Sequence, residues 1–263
     1  MTLVPFPGSQ SGALQTPPED DDEPAGETMS FLEHLDELRK RIIKALVGVL
    51  VGILATFAFH EKIFNFVFAP TRSVLPHGTT LIYNQPGEAF SLHLQIALIA
   101  GIVVAAPYIM YQVWKFIAPG LYSNEKRMAI PFVLFSTLGF VGGALFNHYV
   151  VFRFMIAFFA SFDSPDLRFL PTLDSTFDLY TKFLIAMGIV FQMPTLVFFL
   201  AKMKMITARF LVRQFKYAFL VIFIIAAVIT PTGDPVTQSI FAAPMVILYL
   251  FGIVIAWMVG PKS

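Results

Sequence analysis

Cysteine is absent from the 263 residues, and charge is scarce: Asp, Glu, Lys and Arg together make up only 13% of the chain. Without a thiol there is no disulfide, no thiolate metal site and no cysteine nucleophile. So little charge excludes an ordinary water-soluble enzyme, in which about 25% of residues are charged. A mostly disordered chain is excluded as well, because 57% of the residues are hydrophobic. The net charge of +1 provides no concentrated basic face, so no nucleic-acid partner is expected. The five histidines (His34, His60, His77, His93 and His148) show neither H-x-x-x-H nor H-x-x-E-H spacing, which leaves a zinc peptidase without support. There is no G-x-x-x-x-G-K-[ST] run to cradle nucleotide phosphates. What the chain does have is apolar sequence in long runs, 30 Phe and a mean hydropathy of +0.73. That is the composition of a protein crossing a membrane several times.

Residues 1–28 differ from the rest. They are rich in Pro, Gly, Ser and acid, with the run Glu19-Asp20-Asp21-Asp22-Glu23. Such a segment buries too little apolar surface to offset its ordering entropy, so a disordered acidic tail is expected there. It has neither the basic start and apolar stretch of a secretory signal nor the acid-poor composition of a transit peptide. Met1 and Met29 both stand as possible starts. Residues 29–263 form the second unit, a membrane domain.

Six apolar segments are expected as transmembrane helices, near 42–60, 89–111, 129–152, 180–201, 217–230 and 239–259, to about 3 residues. The fold class is therefore all-α, a polytopic integral membrane protein. The fifth segment is short. Its uncharged part, Tyr217 to Ile229, reaches only about 20 Å at helical rise. A re-entrant segment is the alternative to a short true span. Lys and Arg favour an inner N-terminus. Arg39, Lys40, Arg41, Lys44, Lys115, Lys126, Arg127, Lys202, Lys204, Arg209, Arg213, Lys216 and Lys262 then face inward, against Lys62, Arg72, Arg153, Arg168 and Lys182 outside. Six spans with both termini cytoplasmic is the economical solution. No internal repeat is visible.

Polar residues stand out against this background. Ser30 and Glu33 form a capping box that starts a helix at Phe31. Leu35, Leu38 and Ile42 make one apolar stripe, and Glu33, Glu37 and Arg41 lie four apart on another face. This predicts an amphipathic helix at the inner surface, running into the first span. Glu37 either pairs i,i+4 on a solvated face or offers its carboxylate to a cation from outside. In the next inner loop Pro119-Gly120 forces a turn and Ser123 caps the following helix, placing Glu125 in its first turn. Complementing the helix dipole is a sufficient account of Glu125. Tyr111, Trp114 and Tyr122 suit an interfacial aromatic belt. In the fourth span, Gln192 is ten residues from both Lys182 and Lys202, near mid-bilayer, where an amide needs a partner. It is either internal glue or a docking point for another chain's helix. Pro194 removes the partner of the Val190 carbonyl and predicts a kink.

At these residues the chain resembles the TatC family, the multispanning receptor of the twin-arginine protein translocase. The resemblance covers roughly Met29 to Gly260. It rests on His34-Leu35-Asp36-Glu37-Leu38-Arg39-Lys40-Arg41, Pro86-Gly87-Glu88-Ala89-Phe90, Trp114-Lys115-Phe116 with Pro119-Gly120-Leu121-Tyr122 and Glu125-Lys126, Phe191-Gln192-Met193-Pro194, and Thr230-Pro231 with Asp234. It implies a receptor that is not an enzyme, binds no cofactor or metal, and sits in the bacterial inner membrane. It further implies binding of twin-arginine signal peptides of folded export substrates through Glu37 and Glu125, with Arg39 orienting the acidic site. TatA-like and TatB-like single-span subunits are the implied partners, with self-association in a larger complex and the transmembrane gradient as energy source. Gln192 stands where the family usually has Glu, so a titratable proton is missing there. Pro86, Glu88, Pro119 and Asp234 match family motif positions of structural or loop character. Two other classes remain as competitors. A small-solute secondary transporter needs ionisable groups near the midplane, and the spans hold almost none. An intramembrane hydrolase needs a Ser/His or paired-Asp constellation, and no G-x-S-x-G elbow exists.

Overall fold

The computed structural model describes residues 31–75, 81–117, 129–164, 166, 168–230 and 234–260. The expected acidic tail, Ser30, the Pro119 turn and the Glu125 region lie outside these residues. Helices account for nearly all of what is described: α1 (Phe31–Phe57), α2 (His60–Val74), α3 (Glu88–Ile117), α4 (Ala129–Phe146), α5 (Phe152–Ala160), α6 (Leu173–Val190), α7 (Met193–Lys202), α8 (Ala208–Ile229) and α9 (Pro235–Val259). A π-helical turn, Asn147–Val151, joins α4 to α5. Among the described residues no strand forms; a single parallel bridge pairs Ile82 with Thr172.

Five stretches are long and apolar enough to cross a membrane alone: Glu88–Ile117, Ile130–Ala160, Leu173–Lys202, Ala208–Ile229 and Pro235–Val259. A sixth arises only from α1 together with α2, which meet at a bend of 88°. The apolar part of α1, Ile42 to Phe57, reaches only about 24 Å at helical rise. The amphipathic segment expected ahead of the first span is the beginning of α1 itself, with no break between them. α2 lies between the first two expected spans, where no helix was expected. It is an amphipathic helix whose Val67, Phe68, Pro70 and Thr71 are buried.

Three further spans differ from expectation in length. The fifth helix, α8, has 22 residues and forms one unbroken rod of about 33 Å. Only its uncharged part is short, because Arg209, Arg213 and Lys216 occupy its first turns; the re-entrant alternative falls. The gap between the expected third and fourth spans, 129–152 and 180–201, shrinks to a connection between Ala160 and Leu173, since α5 and α6 extend into it. Thr172 caps α6, its hydroxyl accepting from the Ser175 N–H at 3.3 Å, and Thr207 caps α8 through the Phe210 N–H at 3.2 Å. Asp234 caps α9, accepting from the Thr237 N–H at 2.8 Å, with Pro235 opening the helix. Such caps let helices run beyond the hydrocarbon without orphaned donors.

Successive spans alternate in direction. At one end, called here the proximal rim, His34 of α1 stacks on Phe116 of α3 at 4.5 Å. Trp114 meets Phe132 of α4 and Phe199 of α7 there, and the Tyr249 hydroxyl of α9 donates to the Leu211 carbonyl of α8 at 2.9 Å. The start of α1 and the end of α9 therefore share this rim. The opposite, distal rim is tied by Glu88. Its carboxylate accepts from the N–H groups of Asn84 at 2.7 Å, Gln85 at 3.2 Å and Asp174 at 3.1 Å. One side chain thus fastens the turn containing Pro86 to the start of α6. Glu88→Ala is expected to cost about 2 kcal/mol, since hydrogen bonds to charged acceptors are the strong ones. A lowered thermal midpoint in detergent is the readout, with Glu88→Gln, which keeps one acceptor oxygen, falling between.

Candidate functional site

The proximal rim gathers the polar residues singled out on α1. Residues four apart on a helix face the same way, so Glu37 meets Arg41. Both the Nε of Arg41, at 2.7 Å, and its Nη2 reach the same carboxylate oxygen, Oε1. The two side chains are half-buried, whereas the neighbouring Lys40–Asp36 pair, at 2.7 Å, is more than half exposed. Behind Arg41 lies Gln112 of α3, whose Oε1 accepts from Nη1 of Arg41 at 3.4 Å. Gln112 is buried; Trp114, two positions on and on another face of α3, is buried against Phe132 and Phe199. Oε2 of Glu37 has no hydrogen bond among the described residues. The site is therefore a carboxylate gripped from one side by a guanidinium and backed by an amide, with its second oxygen unbonded among the described residues. Chemically it can accept another planar cation.

Arg39 is exposed and makes no bond to Glu37 among the described residues; two positions along a helix place it on a different face. The Glu37–Arg41 spacing was legible in the sequence. Gln112 was not, because nothing in a span-like run marks which amide will back a site on another helix.

Gln192 sits at the break between α6 and α7, which together still count as one span. Its Nε2 donates to the Ser136 carbonyl of α4 at 2.9 Å, so the amide serves as glue inside this chain. Its Oε1 accepts no hydrogen bond among the described residues, and the residue is half-buried. The kink expected from Pro194 appears as a break at Phe191-Gln192, with Pro194 in the first turn of α7. Asp234 and Glu88 are structural: a cap and a clasp at the distal rim.

A second polar cluster went unread in the sequence. His148 Nδ1 and the Tyr180 hydroxyl are hydrogen-bonded at 3.3 Å, the Asn147 amide donates to the Tyr180 carbonyl at 3.4 Å, and Phe66 of α2 stacks on His148 at 3.9 Å. It locks α2, the π-turn and α6 together. A neighbouring apolar recess of about 230 Å³ opens between α1, α2, α3, α4 and α6, with Thr56, Phe66, Val103 and Tyr180 among its walls. Among the described residues no group of three His, Asp or Glu could hold a metal ion.

A polytopic helical membrane protein, with few charged side chains in its long apolar helices, is the class these features define. The sequence matches the family profile of the Sec-independent protein translocase protein (TatC) over residues 33–244. A protein of that name from Koribacter versatilis (strain Ellin345) is 42% identical over 238 residues, 89% of this chain and 88% of the relative. One from Helicobacter pylori (strain J99 / ATCC 700824) is 42% identical over 228 residues, 87% and 89% of the two chains. A crystal structure of the twin-arginine translocase receptor TatC superposes with a TM-score of 0.73 at 35% identity, covering 85% of this chain and 97% of that one. The chain belongs to the TatC family. It is a multi-pass membrane subunit of a twin-arginine protein translocase and a non-enzymatic one, which leaves the solute-transporter and hydrolase readings without support.

Proposed function

We propose that this chain binds the twin-arginine signal peptides of folded export substrates at the proximal rim, and that this rim faces the cytoplasm of a bacterium whose inner membrane the helices cross. The observation that carries this reading is the Glu37 carboxylate: it already holds one guanidinium through Oε1 and leaves Oε2 open beside a half-buried wall. A guanidinium is planar, stays charged and forks onto a carboxylate; an ammonium is a point charge and cannot copy that fit. Glu125 follows α3 in the chain and supplies the second carboxylate for the second arginine. Arg39, exposed at the same rim, acts on the acidic site by its charge. The apolar part of the signal peptide lies along the membrane-facing helices.

TatA-like and TatB-like single-span chains pack around Gln192 and α8, several copies of this chain gather in the complex, and the electrochemical gradient drives passage. The open Oε1 of Gln192 supports that contact, since an amide both donates and accepts. Gln192→Leu is expected to leave signal-peptide capture unchanged and to reduce co-purified single-span partner severalfold. Because the internal bond to Ser136 is lost too, Gln192→Glu is the conservative control: a carboxyl held neutral in the bilayer still donates its O–H to the Ser136 carbonyl and keeps an acceptor for a partner, so it retains both the thermal midpoint and the partner. Unchanged partner recovery with Gln192→Leu restricts Gln192 to internal glue. The direct test of the receptor reading is binding of arginine-pair and lysine-pair peptides to the solubilised chain.

A further inference from the structure

Arg209 and Arg213 stand one turn apart at the start of α8, and both are exposed. Their stems form one wall of a groove of about 480 Å³; the opposite wall is α9, from Ile253 and Val254 to Trp257. The groove is hydrocarbon within and cationic at its edge. Trp257 is 75% exposed at its mouth, in the position of an indole anchoring a span at the membrane surface. Neither arginine has an ion pair or hydrogen bond among the described residues. The stretch of chain that carries them supplies no acid. No Asp or Glu occurs between Asp178 and Asp234, and these two lie near the distal ends of α6 and α9. Lys202, Lys204 and Lys216 add charge of the same sign.

We propose that this groove between α8 and α9 is a binding site for an anionic phospholipid. The phosphate rests on the guanidinium groups of Arg209 and Arg213, and one acyl chain lies along Val212, Ile253 and Val254 beneath Trp257. Arginine pairs with phosphate through two parallel hydrogen bonds, and basic pockets between transmembrane helices are where anionic headgroups collect. A free phosphate has no chain to cover the apolar walls, which gain only from burial against hydrocarbon. A zwitterionic lipid carries its own cation to a place that already has too many.

The chain has two Trp, and Trp114 is only 4% exposed inside the bundle. Brominated acyl chains therefore quench Trp257 selectively. The full chain is reconstituted in phosphatidylcholine bilayers containing an equal fraction of brominated phosphatidylglycerol or brominated phosphatidylcholine. The brominated anionic lipid is expected to quench as though enriched at least about fivefold, the factor matching about 1 kcal/mol per surface cation. The double variant Arg209→Gln/Arg213→Gln brings the two lipids to parity; should it not fold, Arg213→Gln alone reduces the preference. Soluble glycerophosphate does not compete. Equal quenching by the two lipids in the unmodified chain overturns the proposal, as does a preference that survives the substitutions. Competition by glycerophosphate at lipid-like strength reduces the site to a phosphate site and also overturns it. Absence of any lipid preference, combined with shielding of Trp257 by a co-reconstituted single-span partner, assigns the groove to a protein helix instead.

Discussion

Glu37→Ala is expected to weaken binding of an arginine-pair signal peptide by about thirtyfold or more, while a lysine-pair peptide, weak to begin with, changes little. Removing one member of a partly buried charge pair costs about 2 kcal/mol at the low end of the measured range, and each 1.4 kcal/mol is about tenfold. The loss has two parts. The incoming guanidinium loses its acceptor, and Arg41, half-buried against Gln112, keeps a charge without its carboxylate. Glu125→Gln is expected to be harmful on its own account, because an amide of the same shape carries no charge for the second arginine. The measurement is a pair of titrations, arginine-pair and lysine-pair peptide, against detergent-solubilised chain. If both variants still separate the two peptides as the unmodified chain does, the acidic-site assignment is wrong. Arg41→Gln provides a useful contrast. It frees Oε1 but releases the carboxylate from the orientation its own arginine imposes, so binding falls by less than in Glu37→Ala.

The second large effect lies in the packing that holds that rim in place. α1 and α3 cross with almost no side chain between them. A Cβ placed on Gly52 would stand 2.5 Å from the Gly101 carbonyl oxygen, and one on Gly101 would stand 2.6 Å from the Ile53 nitrogen. Neither neighbour is a movable side chain; both are backbone. In lipid, where hydrocarbon surrounds the bundle on all sides, helices associate through such close approach and through hydrogen bonds across it. The Thr56 hydroxyl, 2.8 Å from the Ala97 carbonyl, is the bond here. Gly52→Leu is therefore expected to separate α1 from α3, costing about 3 kcal/mol or more and destroying the monodisperse peak in size-exclusion chromatography. Gly87→Ala is the control, since a Cβ there meets nothing within 4 Å, and its thermal midpoint should match that of the unmodified chain. A Gly52→Leu chain that elutes and melts normally would show that the crossing is looser than these distances require.

Gly48 and Gly52 form a G-x-x-x-G pair in an apolar run, so the signal for this crossing was present and went unused. The partner glycine at 101 was not predictable, since nothing along the sequence pairs one apolar helix with another. The same holds at α2. Its buried face, Phe68 and Thr71, is interleaved with Lys62, Arg72 and Pro70, and that mixture reads as a loop until α3 and α5 are beside it. The long outer loop expected after the third span went the other way. Its polar residues are caps and first-turn residues, Thr172 and Asp174 among them, rather than a connection.

Composition and periodicity alone determined that the chain is a helical bundle for a membrane, with its cations biased to one side and with carboxylates on an amphipathic start. Apolar length and charge placement are local properties, set by transfer of each residue between water and hydrocarbon. The pairing of Gln112 with Arg41, the turning inward of the Gln192 amide, the clasp of Glu88 on Asp174 and the groove beside Arg209 and Arg213 were decided only by the tertiary structure. Each joins residues far apart in the chain. At the rims as inside the bilayer, which polar groups meet is set by how the helices pack, and for the Gln192 amide no water competes with the partner that packing brings within reach.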